Sequence, residues 1–576
     1  MPYLSEHLQA VEINTASSPP SSSAPRVSTP QGIYIGSASV PGVDQFLSIR
    51  YAEPPIGSLR FADPEPYHSG SPDQEVDTSS YGPGCLQDPT LEKENGLSED
   101  FLTLNVVRPT GANSRSGEPL PVMVFIFGGA NILGQINAYN STGLVQTSVA
   151  AGKPVIYVSM NYRLGGFGFL YNSLFRRSGS LLNTGLKDQH LALQWVHDNI
   201  ASFGGDPNRV TLFGQSAGSF NVWMQMRYAA AHSETENNAL FQAAILQSGM
   251  PASLALKGQT PSNGDAYLTA TLIAVGCAPL PLIGNATDEA VLQCLRNVPA
   301  QRLSDVGFAV DGEWINTPYY WSEEVVPIPL MKGTVLNEGS LYGLVPVLVL
   351  PKNVYLDAVV ATNLTTNITL PGPVVQTYYS HSATENGKGY NTNRTILDPS
   401  DPYYISEAVL GDAVQNIPRR VLLGQHSSSA NAVDGRAAPT WGYMFKHRPP
   451  LSVFTQSFYP IMPVTPSLLL ERAGVAHASE LAYVFGSIYG LSGRTRGDAE
   501  VGRKMQAMDP NAHNSTEIPR WEQYDPRNAR IFHFQEQGNA TSGIFPDNMR
   551  LDSYNAYRLA VANAGLPALP EVRVMV

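Results

Sequence analysis

The segment Val210–Gly218, with the sequence VTLFGQSAG, contains a Gly-x-Ser-x-Gly pattern between an apolar run and a helical stretch. The run VTLF is typical of a fully buried strand, and a helix is predicted to begin near Ala217. A serine between such elements lies on a sharp turn at the carboxyl end of the strand, with its hydroxyl exposed. Because the bare pattern also arises by chance in a chain with 50 glycines, the strand–turn–helix context decides the interpretation. We therefore predict that Ser216 is a nucleophile.

Short apolar runs alternate with helical patterns on both sides of this segment. VMVFIF at 122–127 and PVIYVS at 154–159 are typical of buried strands, and apolar residues recur at helical spacing from Leu186 to Ile200. The sequence Phe-Gly-Gly-Asp-Pro at 203–207 predicts a turn after that helix. The alternation predicts an α/β fold with a large, mostly parallel central sheet and helices on both faces. Further strands are predicted at residues 243–246, 333–336 and 441–446.

The N-terminal residues differ in composition from the rest of the chain. Residues 16–30 are rich in Ser, Pro and Thr, so we predict a flexible tail over 1–30 and a single domain over 31–576. The long mixed stretches at 250–330 and 340–435 are predicted to cap one end of the sheet. The first thirty residues contain no apolar h-region, and no apolar stretch reaches the roughly 20 residues that span a bilayer. We expect neither a signal peptide in this sequence nor a transmembrane segment.

The composition argues against several partners and cofactors. The 36 Lys and Arg residues against 48 Asp and Glu residues give a net charge of −12, which repels nucleic-acid phosphates. The sequence has no CxxC or HExxH spacing and no GxGxxG, so we expect no metal and no cofactor. Three cysteines are too few for a disulfide-dense scaffold, and they leave one thiol over.

A nucleophilic serine needs a base to remove its proton and an acid to orient that base. In sites of this kind the acid and then the histidine follow the serine along the chain, so His190 and His197 are in the wrong order. His477 lies in a loop of small residues before a helix predicted to open at Glu480, and it is the preferred base. The alternative, His447, ends a predicted strand, and we expect it to cap that strand or form a salt bridge.

Three glutamates are candidates for the acid. Glu338 directly follows the strand predicted at 333–336, and a carboxylate at a strand end suits this role. Glu323 and Glu324 are the alternatives, although their surroundings resemble a solvated surface. Spacing alone leaves the choice open.

The oxyanion of an acyl-transfer intermediate needs backbone amide donors. One donor is predicted from Ala217, the residue after the nucleophile, and others from a glycine-rich loop after an early strand. The sequence Phe-Gly-Gly-Ala-Asn at 127–131 follows the VMVFIF run and has the required position.

Seven sequence blocks in order resemble the type-B carboxylesterase and lipase family, which also contains the cholinesterases. Together the blocks cover nearly the whole chain after the tail, and the most specific block runs from Asn183 to Ser216. The resemblance implies an α/β-hydrolase fold and hydrolysis of carboxylic esters. The other blocks lie at residues 51–61, 98–106, 161–170, 247–249, 337–339 and 474–486.

The resemblance also assigns roles to individual residues. It implies a triad of Ser216, Glu338 and His477, so that Glu338 becomes the favoured acid. It implies that the amides of Gly129, Ala130 and Ala217 bind the oxyanion. It further implies two structural ion pairs, Arg60 with Glu99 and Arg163 with Asp188.

The cysteines depart in part from the family pattern. Cys277 and Cys294 match the second family disulfide, and closing that loop would contribute roughly 3 kcal/mol in the chain-entropy model. Phe101 stands where the family has the cysteine that pairs with the equivalent of Cys85. Cys85 is therefore predicted to remain a thiol.

Four features bear on substrate and location. Residues 86–100 form a short, charged segment without the long apolar lid of family lipases or the Trp with which cholinesterases bind a quaternary ammonium. Asn131 replaces the usual aromatic residue after the oxyanion loop, which leaves the shape of the acyl pocket open. The predicted disulfide favours an oxidising compartment. Seven N-x-S/T sequons, compatible with secretion as a glycoprotein, lie at Asn140, Asn285, Asn363, Asn367, Asn393, Asn514 and Asn539.

Together these observations predict a secreted serine carboxylesterase, monomeric or weakly self-associating, whose partner is a small ester with an acetyl or short- to medium-chain acyl group. The first alternative is a lipase or sterol esterase that acts on long-chain esters. The second is a non-catalytic, cholinesterase-like binding protein, which the complete triad disfavours.

Overall fold

The structure is a computed structural model of the chain. It describes residues 24–68, 71–87, 95–112, 117–169, 173–177, 182–232, 240–249, 265, 268–269, 271–273, 275–277, 288–303, 328–336, 338, 411–428, 438–447, 449–450, 475, 477–485, 495–506, 521–536, 540–548, 551, 555 and 571–573. Glu323, Glu324, most of both predicted cap insertions and the sequons other than Asn140 lie outside these residues.

The described strands belong to one large sheet and two small ones. A small sheet consists of β1 (Arg26–Thr29), β2 (Gly32–Ile35) and β5 (Glu75–Asp77), and β6 (Gly84–Cys85) pairs with β7 (Leu97–Ser98). The strands of the large sheet, in chain order, are β3 (Ser37–Val40), β4 (Val43–Arg50), β8 (Thr103–Pro109), β9 (Leu120–Ile126), β10 (Ile156–Met160), β11 (Gly205–Gln215), β12 (Ala243–Gln247), β13 (Leu330–Val335), β14 (Thr440–Phe445), β15 (Arg530–Phe534) and β16 (Gly543–Pro546).

The helices connect and cover these strands. Most of them contribute hydrophobic side chains to the same buried cluster as the strands, for example Leu186 and Trp195 of the helix before β11. The described helices are α1 (Thr142–Ala150), α2 (Gly165–Gly168), α3 (Ser173–Arg177), α4 (Thr184–Asn199), α5 (Ala217–Ala231), α6 (Asp288–Asn297), α7 (Ile417–His426), α8 (Leu481–Val484) and α9 (Arg496–Gln506).

The large sheet is mostly parallel, as the sequence predicts. Among the described residues its strand order is β16-β15-β14-β13-β12-β11-β9-β10-β8-β4-β3. The strands from β10 to β15 pair in parallel, whereas β3, β4 and β8 at one edge and β16 at the other pair antiparallel. Because parallel strands end at the same edge, the residues after β9, β11, β12 and β13 meet there.

One boundary differs from the prediction. The tail predicted to end at residue 30 is already ordered before that point, because Arg26–Thr29 pairs with Gly32–Ile35 as an antiparallel hairpin and buries Val27. A composition rich in Ser and Pro therefore overstated the length of irregular chain at the N-terminus.

The turn predicted at 203–207 is confirmed. Gly204 takes a left-handed φ of 89°, and the Asn208 amide donates to Asp206 Oδ1 at 2.9 Å. Although Gly205 pairs with Leu120 of β9, the register between the two strands shifts before Val210.

The cysteines have the states that the sequence predicts. Cys277 and Cys294 form a disulfide with their Cα atoms 5.9 Å apart, and Cys85 is a buried thiol. The disulfide joins residue 277 to α6, whose buried face packs with Phe61 and Phe175 in a second, smaller hydrophobic cluster.

Two buried ion pairs hold loops against the sheet. Arg60 binds Glu99 through two hydrogen bonds of 2.7 Å and also donates to three carbonyls at 295–298, so it connects its loop to the end of α6. Arg163 follows β10 and binds Asp188 of α4, with 2.6 Å between Nη2 and Oδ1. In the described part of the chain, no helix is long and apolar enough to cross a bilayer.

The Arg163–Asp188 pair is expected to contribute strongly to stability. The Asp188→Asn substitution leaves a guanidinium that is 1% exposed without its counter-charge, which typically costs about 3–5 kcal/mol. Urea denaturation should therefore show a lower free energy of unfolding. The matched control is Glu75→Gln, which breaks the exposed Arg26–Glu75 pair and should change that free energy by less than about 1 kcal/mol. Equal losses in the two variants would contradict this account of the buried pair.

Candidate active site

Ser216 lies on a strained turn between β11 and α5. Its backbone has φ 56° and ψ −125°, a conformation that L-residues rarely adopt. Glycines on both sides allow the close packing of this turn. A Cβ at Gly214 would lie 2.5 Å from the backbone of Gly218, and one at Gly218 would lie 2.1 Å from the carbonyl oxygen of Ile126. The two glycines of the motif are therefore required by backbone contacts.

The residues after β12 support the same turn. The Ser216 amide donates to the Gln247 carbonyl at 2.9 Å, and a Cβ on Gly249 would lie 1.9 Å from the Ser216 carbonyl oxygen. Ser248 between them has a positive φ of 48°. The turn at 247–249 thus packs directly behind the serine.

His477 and Glu338 are brought together from distant parts of the chain. The distance between His477 Nδ1 and Glu338 Oε2 is 2.7 Å, and both side chains are buried. Glu338 Oε1 accepts a hydrogen bond of 2.8 Å from the Val335 amide, which orients the carboxylate. The other imidazole nitrogen, Nε2, lies 3.2 Å from the side-chain nitrogen of Gln215, next to Ser216. The imidazole therefore lies between a carboxylate and the serine turn.

The glycine-rich loop after β9 lies against the serine. A Cβ on Gly128 would be 2.9 Å from the Ser216 Cβ, and Gly129 and Ala130 both have positive φ values, of 115° and 54°. Ala217 is the first residue of α5, where amides have no acceptor within the helix. The backbone around Ser216 thus combines a glycine loop with a helix N-terminus, and both can present amide donors to an anion.

Comparison with known sequences assigns the chain to a family. A sequence model described as the carboxylesterase family matches residues 23–552. The chain belongs to the carboxylesterase family. A secreted triacylglycerol lipase of Gibberella zeae is 30% identical to it, over 94% of this chain and 90% of the lipase. A secreted lipase of Botryotinia fuckeliana is 29% identical, over 92% and 91%. Lipase 5 of Diutina rugosa is 37% identical over 52% of this chain, and the match spans only 60% of that lipase.

In this carboxylesterase-family chain, Asn131 connects the loop after β9 to α5. Its side chain is buried and exchanges two hydrogen bonds with Asn221 of α5, of 3.1 and 2.9 Å. The Tyr162 hydroxyl also donates to Asn131 Oδ1, at 3.2 Å. Asn131 is therefore a polar link between the two elements that flank Ser216.

The other histidines have separate partners. His447 Nε2 lies 3.0 Å from Asp498 Oδ1, and its Nδ1 accepts a hydrogen bond from the Glu536 amide. Although burial raises the pKa of Asp498, hydrogen bonds from His447, Tyr483 and Thr495 lower it to about 2. His447 is therefore paired with Asp498, and the expected contact with an acidic side chain is confirmed. His197 contacts Asp198, and His190 packs on Tyr228.

Sequence reasoning missed two buried charged residues behind the site. Burial lowers the pKa of Lys332 to about 7, against the opposing effect of Glu338. Burial and the charge of Glu338 raise the pKa of Glu480 to about 7. The sequence feature that could have revealed Lys332 is its place within the apolar strand LMKGTV. A lysine in such a strand is expected to be buried and therefore to need a partner.

The contact between Gly249 and Ser216 gives a direct test of the turn. In Gly249→Ala the new Cβ must displace the Ser216 carbonyl, and a displacement of about 1 Å can reduce kcat about 10²-fold. Initial rates with a soluble p-nitrophenyl ester measure this loss. The control is Gly543→Ala in β16, where the nearest atom to the new Cβ is an aromatic carbon at 3.5 Å, so activity should be unchanged. A fully active Gly249→Ala enzyme would show that this contact does not hold the serine.

Proposed function

We propose that this chain is a serine carboxylesterase of the α/β-hydrolase fold, with Ser216 as nucleophile, His477 as base and Glu338 as acid. The observation that carries the proposal is the 2.7 Å hydrogen bond from His477 to Glu338 beside a serine on a strained strand–helix turn. Membership of the carboxylesterase family supports the same chemistry. The filled nucleophile, acid and base positions disfavour a purely binding role.

The reaction follows from the roles of these groups. The Ser216 hydroxyl attacks the ester carbonyl carbon while His477 Nε2 takes its proton. The side-chain amide of Gln215, which contacts this nitrogen, must therefore move away so that the serine hydroxyl can bind there. Glu338 stabilises the imidazolium that forms. His477 then returns the proton to the leaving alcohol, and water attacks the acyl-enzyme by the same route to release the acid.

The amides of Gly129, Ala130 and Ala217 are the proposed donors to the oxyanion. Each such donor typically contributes about 10²–10³ in rate, because it is oriented before charge develops on the carbonyl oxygen. The Asn131–Asn221 link supports this role, since it holds the loop bearing Gly129 to the helix that begins at Ala217. No metal or redox group is needed for these steps.

The proposed substrates are soluble esters with acetyl or short- to medium-chain acyl groups, because residues 86–100 are short and charged, unlike a long apolar lid. The alternative is a lipase that acts on long-chain esters. It is favoured by the names of the relatives, which are lipases. An extracellular location is proposed because two of these relatives are named as secreted and because disulfides persist in oxidising compartments.

The Ser216→Ala substitution tests the nucleophile. Without the hydroxyl no acyl-enzyme can form, so kcat for p-nitrophenyl butyrate should fall by about 10⁴-fold or more. Ser148→Ala, which removes a buried hydroxyl of α1, serves as the control and should retain kcat. Full activity of Ser216→Ala would refute the assignment.

A series of acyl-chain lengths separates esterase from lipase. For p-nitrophenyl esters from acetate to palmitate, we expect kcat/KM to be highest at short or medium chains and to decline toward palmitate. An emulsified triacylglycerol should give no rate increase above its solubility limit. A rate that rises through palmitate, with activation at the oil surface, would establish the lipase alternative instead.

A further inference from the structure

Lys332 is a fully buried lysine in the centre of the sheet, behind the candidate active site. It lies in β13, two strands from β11, and its side chain is 0% exposed. Its Nζ donates a hydrogen bond of 2.9 Å to the carbonyl oxygen of Gly249. Lysine is almost never buried to this extent without a partner, because removing its charge from water is costly. The position therefore calls for a specific role.

The hydrogen bond places Lys332 one contact away from the nucleophile. Gly249 packs on the Ser216 carbonyl so closely that a Cβ would be 1.9 Å from it. The same turn is held by Gln415 Nε2, which donates to the Ser248 carbonyl at 2.8 Å, and by the Ser248 hydroxyl, which lies 3.3 Å from Glu480 Oε1. Lys332 thus belongs to a group of buried polar side chains that surround residues 248 and 249.

The charged groups around Lys332 come from several elements. The carboxylates of Glu338, after β13, and of Glu480, before α8, attract the ammonium, and Arg419 of α7 repels it. Arg419 is bound to Asp547 by hydrogen bonds of 3.0 and 2.7 Å. Next to the two glutamates lie the imidazole of His477 and the phenol of Tyr443 in β14. Lys332 therefore faces two carboxylates, one of which binds the proposed catalytic base.

We propose that Lys332 is a positioning residue for ester hydrolysis: its side-chain nitrogen holds the Ser248–Gly249 turn behind Ser216 through the hydrogen bond to the Gly249 carbonyl. The inference rests on the proposed hydrolase function. Because Gly249 packs on the Ser216 backbone, Lys332 acts on the serine through this turn.

Two substitutions test the hydrogen bond to the turn. Lys332→Met removes the donor, whereas Lys332→Gln retains a donor that lies one bond closer to the backbone. With a soluble p-nitrophenyl ester, kcat should fall about tenfold in Lys332→Met and less in Lys332→Gln, because only the first loses the bond to the turn entirely. KM should stay near the wild-type value in both variants, since Lys332 positions the serine and does not bind the ester. The control is Lys446→Met, which removes another largely buried lysine, next to Asp547 and Arg419, and should leave kcat unchanged.

Rates are expressed per serine that reacts with a fluorophosphonate, so that a loss of folded protein is not counted as a loss of kcat. A folded Lys332→Met variant with wild-type kcat overturns the proposal. If Lys332→Met does not fold, Lys332→Gln decides alone, and wild-type kcat in that variant overturns the proposal. An equal loss in Lys446→Met also overturns it, since the effect would then be unspecific. Failure of the hydrolase proposal gives a different result: Ser216→Ala would remain active, whatever the kcat of the Lys332 variants.

Discussion

The conformation of Ser216 is the constraint on which the rest of the site depends. A residue held at φ 56° and ψ −125° costs about 1–3 kcal/mol and persists only where its surroundings leave no alternative. Here backbone from three directions encloses the turn: the loop after β9 at Gly128, the following helix at Gly218 and the turn after β12 at Gly249. Each of these contacts would be blocked by a single methyl group. The glycines of the site are thus needed for proximity between backbones rather than for flexibility.

The buried residues around this turn include charged groups, which have no water to solvate them. Glu338 is 0% exposed and is bound by an amide and an imidazole, and Lys332 donates to the Gly249 carbonyl. The same rule governs the structural pair of Arg163 with Asp188 farther from the reaction. Charge in this sheet is compensated within a few ångströms, so the removal of one group changes the electrostatics of its neighbours.

The parts of this arrangement with a local sequence signature were predictable. The strand–turn–helix around Ser216, the glycine loop after β9 and the parallel strands follow from short patterns, and the chain order indicated His477 over His190. The choice of Glu338 over Glu323 and Glu324 did not follow from spacing. The proposed acid is the carboxylate that contacts His477, and Glu338 lies 139 residues from His477 along the chain. The family resemblance was needed there.

The polar network behind the site had no such signature. Asn131 and Asn221 are 90 residues apart, so nothing in either segment reveals their mutual hydrogen bonds. Lys332 and Glu480 look like ordinary charged residues until the sheet brings both to the turn at Ser248 and Gly249. The length of the N-terminal tail was overestimated for a related reason, since the pairing of Arg26–Thr29 with Gly32–Ile35 overrides a composition typical of disorder. Long-range contacts decided each of these cases.

The central claim is that Ser216 becomes covalently attached to the acyl group. The most direct measurement is mass spectrometry of proteolytic fragments after treatment with a fluorophosphonate, which reacts with an activated serine and stays bound. The account predicts a single adduct on Ser216 in the wild-type protein, and a much slower reaction when His477 is replaced by alanine. An adduct on another residue, or none in folded protein, would contradict it.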